Sequence, residues 1–138
     1  MTRLLITRGL PGSGKTTFAR RLQPWVVRVN RDDLRRMLHG RRIYTPWAEG
    51  QVTVVQRGMV ETLLTARADV MIDDTNLRPG LVRQWAALAA RLGALFELHD
   101  FTGVPVEECV RRDAGRSADE RVGEAGIRTM HERYLARR

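Results

Sequence analysis

Lysine is nearly absent from this chain. Of 24 basic residues among 138, only Lys15 is a lysine and all others are arginine. A coding bias toward arginine explains the many, and chemistry explains the exception, a compact ammonium kept at one place. The shortage also excludes a function class. A guanine-specific Asn-Lys-x-Asp motif needs another lysine, so a GTPase-like switch built on it is ruled out. Cysteine is as scarce. Cys109 stands alone, no internal disulfide can form, and a reducing cytosol is expected, bacterial or that of a phage's host. Long apolar runs are missing. None approaches the ~20 residues that span a bilayer, and no apolar leader precedes the first strand, so no membrane association and a cytoplasmic location are expected. Acidic residues are outnumbered, 16 against 24, and the net charge of +8 points to a polyanionic partner such as nucleic acid. Linkers, repeats and low-complexity segments are lacking too. One domain over residues 1–138 is expected, and 43% hydrophobic composition suffices for its core.

What is present is organised around Gly9-Leu10-Pro11-Gly12-Ser13-Gly14-Lys15-Thr16, which fits the phosphate-binding pattern G-x-x-x-x-G-K-[ST]. An apolar strand precedes it and a helix opens after it, as the motif requires. The glycines let the backbone curl so that N–H groups at Gly12, Ser13 and Gly14 point at phosphate oxygens. The helix N-terminus at Lys15, Thr16 and Thr17 adds its positive end. Lys15 reaches the β- and γ-phosphates, and the Thr16 hydroxyl can hold Mg²⁺.

Taken in order, the pattern predicts a strand at about Arg3–Arg8, a helix to about Gln23 stopped by Pro24, and a strand over Trp25–Val29. A helix capped by Asn30 or Asp32 runs to Leu38 and ends at Gly40. His39–Trp47 reads as a loop. Ala48–Ala68 carries Val52, Val55, Met59, Val60, Leu63 and Leu64 at helical spacing. Asp69–Asp74 reads as a buried strand ending in acids, and Leu81–Leu92 as a helix. The remaining elements are a strand at Ala94–Phe101, a short helix at Val106–Gly115, a polar loop at Arg116–Gly123 and an amphipathic helix at Glu124–Arg138. This alternation predicts an α/β fold, a parallel sheet with helices on both faces. The ligand site of such a sheet lies at the carboxyl ends of its strands. Three polar clusters should meet there: the glycine loop, Asn30–Arg35 and Asp73–Asn76.

Phosphoryl transfer needs a phosphate cradle, a metal, a group that orients the attacking oxygen, and cations that offset charge on the moving phosphoryl. Asp73 or Asp74 ends a strand where a carboxylate can serve the metal, and Asp74 is preferred. Asp32 and Asp33 follow the second strand, and a carboxylate there can take the proton of an attacking hydroxyl. Arg35, three residues after Asp32, lies on the same helix face.

Pro11–Arg20, Asn30-Arg31-Asp32-Asp33-Leu34-Arg35 and Asp74-Thr75-Asn76-Leu77 together resemble the kinase domain of bacteriophage-type polynucleotide 5′-kinases. Cys109–Arg116 resembles that family's lid helix. The likeness runs through essentially the whole chain, in order. It implies a P-loop kinase fold with a sheet of about four strands and a short arginine-bearing lid at about 107–123. It implies transfer of the γ-phosphate of ATP or GTP, with Mg²⁺, to the 5′-hydroxyl end of DNA or RNA, a step in 5′-end healing. Asp32 would be the general base, and Arg35 would clamp the phosphate next to the hydroxyl. Asp74, Thr75 and Asn76 would border the acceptor. Arg116 and Arg112, at i,i+4 spacing, would present two guanidiniums from one helix face to the donor phosphates. The plainer expectation for Arg112 is a local pair with Glu108. Phage members carry a phosphatase domain after the kinase; this chain has no Asp-x-Asp motif of that type, so a kinase-only protein is expected. The alternative is a P-loop kinase acting on a small-molecule hydroxyl, with the same Asp32 chemistry.

Overall fold

In the computed structural model, which describes residues 1–136, strands and helices alternate as expected. The strands are β1 (Arg3–Arg8), β2 (Val27–Val29), β3 (Val70–Ile72) and β4 (Leu95–Asp100). The helices are α1 (Lys15–Leu22), α2 (Arg31–His39), α3 (Pro46–Thr65), α4 (Leu81–Arg91), α5 (Val106–Ala114) and α6 (Glu124–Tyr134). All four strands are parallel, in the order β2-β3-β1-β4. Leu4 pairs with Val70 and Phe96, and Val27 with Val70, so the strands end together on the side where the polar clusters lie.

Side chains alternate across the sheet, and each parity finds its own helix layer. Leu4, Ile6, Val29, Val70 and Ile72 pack with Val52, Val60 and Leu64 of α3 and Trp85 and Leu88 of α4. Leu5 and Met71 face the other way, onto Ala19, Phe18 and Leu22 of α1. Each wholly buried Leu or Ile contributes about 1.5–3 kcal/mol through water exclusion. A third cluster joins Leu10 of the glycine loop to Leu77, Cys109 of α5 and Ile127 of α6. This third cluster fixes the glycine loop relative to the last two helices.

Several boundaries differ from expectation. The second strand starts only at Val27: Val26 N still donates to Leu22 O at 3.0 Å, and Trp25 is 81% exposed. The third strand keeps three residues, Val70–Ile72, and just before it the side chain of Asp69 accepts from the Arg3 backbone N–H (2.9 Å) and from Arg3 Nε. α3 begins at Pro46, which suits a first helical turn, and so takes Trp47 out of the expected loop. His39 belongs to α2, which closes on Gly40 in the left-handed conformation (φ 76°). α6 ends at Tyr134, before the expected Arg138, which lies outside the described residues. Among the described residues no helix is long and apolar enough to cross a membrane.

Candidate active site

The glycine loop forms the cradle its sequence calls for. Gly12 (φ 84°) and Gly14 (φ 100°) adopt the left-handed backbone that curls the loop, and Gly14 caps α1. Gly12 has a second reason to be glycine: a Cβ there would stand 2.4 Å from the Cys109 carbonyl oxygen, so the loop rests directly on α5. Lys15 is 7% exposed and its Nζ donates to Leu10 O at 2.6 Å and Ser13 Oγ at 3.4 Å. Burial lowers the ammonium to about 8, against the pull of Asp73.

Two cavities flank this lysine. One, about 590 Å³, is lined by Gly12, Ser13, Gly14, Thr16 and Thr17 with Arg112 and Arg116, and is walled by Phe18 and Phe101. The other, about 550 Å³, holds Lys15, Thr16, Asp32, Arg35, Asp73 and Asp74, with Arg42, Arg116 and Arg121 around it. Thr16 and Arg116 line both. The three polar clusters from distant sequence therefore meet at the strand ends, as expected.

Asp32 sits in the first turn of α2, which Asn30 caps by accepting from Asp33 N at 2.9 Å. Asn30 Nδ2 also donates to Asp73 O (2.6 Å), tying β2 to β3 at this point. Arg35 Nη1 donates to Asp32 Oδ1 at 2.6 Å. The rest of that guanidinium is held by Glu49 of α3, through Nε at 2.8 Å and Nη2 at 2.6 Å. The fork still has one N–H free on each terminal nitrogen. Glu49 is pulled below the usual carboxylate range by Arg35. Arg35 also lies 4.8 Å over the Tyr44 ring, so this aromatic of the expected loop braces the arginine. Arg42 Nη1 stands 3.9 Å from Asp32 Oδ2.

The two acids after β3 have different partners. Asp74, preferred for the metal, has both oxygens engaged: Oδ1 accepts from Arg31 N at 2.9 Å and Oδ2 from Gln56 Nε2 at 2.6 Å. Desolvation raises it to about 6. Asp73 takes Arg28 Nε on Oδ2 at 2.7 Å, while its buried Oδ1 has no hydrogen-bond partner. An orphaned buried carboxylate oxygen beside the Thr16 hydroxyl's cavity suits a hard cation that takes oxygen ligands. Thr75 lines the same cavity, and its backbone O accepts from Gly9 N. Asn76 uses its amide on the backbone, donating to Thr7 O at 2.7 Å, and so braces the end of β1.

The lid arginines are not on one helix face. α5 ends at Ala114, and Arg116 follows Gly115 in the loop. Arg112 makes the local pair, Nε to Glu108 Oε1 at 2.9 Å, a carboxylate that Arg111 shares. Arg116 Nη1 leans on Asp113 Oδ1 at 3.4 Å. Asp113 is 1% exposed and also accepts from Val122 N (3.0 Å) and Gly123 N (2.8 Å), pinning both ends of the loop.

Sequence reasoning missed Glu49, Gln56, Arg42, Arg121 and Asp113. Gln56 had a signal: it lies between Val52 and Val60 on an apolar stripe and is 3% exposed, and a polar residue on a core face needs a partner. Glu49 and Asp113 had none, since their partners come from the tertiary fold.

This fold and this site define a P-loop α/β nucleotide-binding domain with the kinase fold. More narrowly, the chain belongs to the AAA domain family, whose model matches residues 4–137. It is 29% identical over 148 residues to a protein of Autographa californica nuclear polyhedrosis virus described as a bifunctional polynucleotide kinase/RNA ligase. That alignment takes in 96% of this chain and 21% of the viral protein. A chain of the Pnkp1/Rnl/Hen1 RNA repair complex superposes with a TM-score of 0.79 at 34% identity, covering 94% of this chain and 42% of that one. Chaetomium thermophilum Kti12, in complex with ADP-AlF3, shares the fold with a TM-score of 0.71 at 22% identity, over 96% of this chain and 80% of its own. The chain thus spans about a fifth of the viral relative and less than half of the repair-complex chain.

Proposed function

We propose that this domain is a polynucleotide 5′-hydroxyl kinase, moving the γ-phosphate of ATP or GTP to the 5′-hydroxyl end of DNA or RNA in 5′-end healing. One observation carries the reading: Asp32, gripped by Arg35 at 2.6 Å, lines the same cavity as Lys15 and Thr16 of the phosphate cradle. The likeness to a polynucleotide kinase/RNA ligase and to an RNA repair complex supports a polynucleotide acceptor.

The donor occupies the cavity lined by Gly12–Gly14, Thr17 and Arg112, with its terminal phosphate toward Thr16 and Arg116. Lys15 turns from the Leu10 carbonyl to the phosphates, where an ammonium gains more than it does from a neutral oxygen. Thr16 and the free oxygen of Asp73 would hold Mg²⁺, which offsets phosphate charge when bound. Asp74 then keeps Arg31 and Gln56 in place beside the acceptor. The acceptor hydroxyl gives its proton to Asp32, and the two free N–H groups of Arg35 fix the neighbouring phosphate. Arg116 offsets charge as the phosphoryl moves in line.

The test is transfer of labelled γ-phosphate, with Mg²⁺, to a short 5′-hydroxyl oligonucleotide, beside the same oligonucleotide already 5′-phosphorylated. Label on the first alone supports the reading. Label on neither, with ATP bound through Lys15, overturns it in favour of a small-molecule hydroxyl.

A further inference from the structure

A third cavity, about 440 Å³, lies behind Arg35 and has no part in the chemistry described. α3, α4 and α6 wall it with Thr53, Arg57, Gln84, Trp85 and Tyr134. It is not separate from the catalytic cavity: Arg35, Asp74 and Thr75 line both. Asp32 lines only the catalytic one. Arg35 is thus the partition between the place of the attacking hydroxyl and this second chamber.

We propose that the chamber is the binding site for the second nucleoside of the acceptor strand. The inference rests on the polynucleotide kinase reading and follows from order along a strand. The first nucleoside must put its hydroxyl at Asp32. Arg35 holds the phosphate that links it to the second. What comes after that phosphate lies on the far side of Arg35, where the chamber opens. The chemistry of the walls fits. Trp85, 8% exposed, and the partly buried Tyr134, whose ring Arg133 overlies at 5.3 Å, give the chamber an apolar wall for the sugar and base. Arg78 brings positive charge for the next phosphate: it is exposed, and its side chain has no hydrogen bond or ion pair among the described residues, whereas Arg57 pairs with Glu61 at 3.3 Å. The two carboxylates in the chamber are already occupied, Glu49 by Arg35 and Arg31, and Asp74 by Gln56 and the Arg31 backbone. They leave the surface net basic. Gln84, exposed at the first turn of α4, offers an amide to a base edge. The volume falls in the range of small-ligand sites.

The experiment compares three acceptors that all carry a 3′-phosphate: one nucleoside, two and three. For the wild-type protein kcat/KM should rise at least about tenfold from one nucleoside to two, and less than about threefold from two to three; a hydrogen bond to a charged group is of that order. Gln84→Ala and Arg78→Ala alter exposed positions, so folding is not at stake, and a melting curve checks it. Each should cut the one-to-two step by about threefold or more, chiefly through KM, with the single-nucleoside acceptor unaffected. A flat series for the wild-type protein overturns the chamber's role and leaves the kinase reading standing. So does a step that neither variant reduces. If no member of the series is labelled although nucleotide binds, the kinase reading itself falls, and the chamber's role with it.

Discussion

At the scale of single residues, the buried Lys15 makes nucleotide binding depend on pH. Its ammonium titrates at about 8 in the folded protein, against 10.5 when unfolded, because burial disfavours the charge. Bound phosphates restore the proton, so affinity for ATP should fall as pH rises through about 8, by up to about tenfold per unit. Calorimetric titration from pH 7 to 9.5 checks this, and Lys15→Met should flatten the curve. The stability effect has the opposite sign. Between about 8 and 10.5 the unfolded chain binds a proton the folded one lacks, so this group makes stability rise with pH across that window. Asp32 and Glu49 make a second, contrasting pair. Asp32→Ala should leave ATP binding intact and lower transfer by about 10²–10⁴, the usual worth of a general base. Glu49→Gln keeps the shape but loosens both hydrogen bonds to Arg35. It should raise KM for the oligonucleotide about tenfold while that for ATP stays put. Equal changes for both substrates would mean that Glu49 serves only the fold.

At the scale of elements, the loop 116–123 depends on one carboxylate. Asp113 accepts from both residues where the loop rejoins α6, and Arg116 leans on it at the start. Asp113→Ala removes the acceptor of two part-buried backbone N–H groups, each bond to the carboxylate being worth at most about 1–3 kcal/mol. We expect a lower melting temperature and a fall in kcat of at least tenfold, with KM for the oligonucleotide changed less; a stopped assay at saturating substrates reads it. Asp113→Asn, which retains one acceptor oxygen, should fall between. The helices were largely legible in the sequence, because apolar spacing and caps are local: Val52, Val60 and Leu64 face the core, and Asn30 caps α2. Strand limits were less so. Trp25 has the residue type of a strand but lies outside the ladder, which begins where Val27 N meets Asp69 O. A pairing partner 42 positions away leaves no trace in the local pattern.

At the scale of the whole molecule, the strand order β2-β3-β1-β4 puts β1 and β3 at the centre and their loops at the middle of the site. The sequence located these loops because each follows an apolar strand, and in a parallel sheet all strand ends face one way. It could not divide labour between Asp73 and Asp74, since that rests on Arg28 and Gln56 arriving from elsewhere. On the proposed function, the net charge of +8 should make binding of a polyanionic acceptor salt-sensitive. With about two phosphate contacts, KM for an oligonucleotide should rise roughly fivefold to tenfold from 50 to 200 mM salt. That for a nucleoside 3′-phosphate should rise less, and identical slopes would count against strand binding. The cavities proposed for donor and acceptor share only Thr16 and Arg116 among the described residues, so most of their walls are separate. Neither substrate need leave before the other arrives. Addition should therefore be random in order, with intersecting double-reciprocal plots, and a chiral thiophosphate donor should give a single inversion at phosphorus.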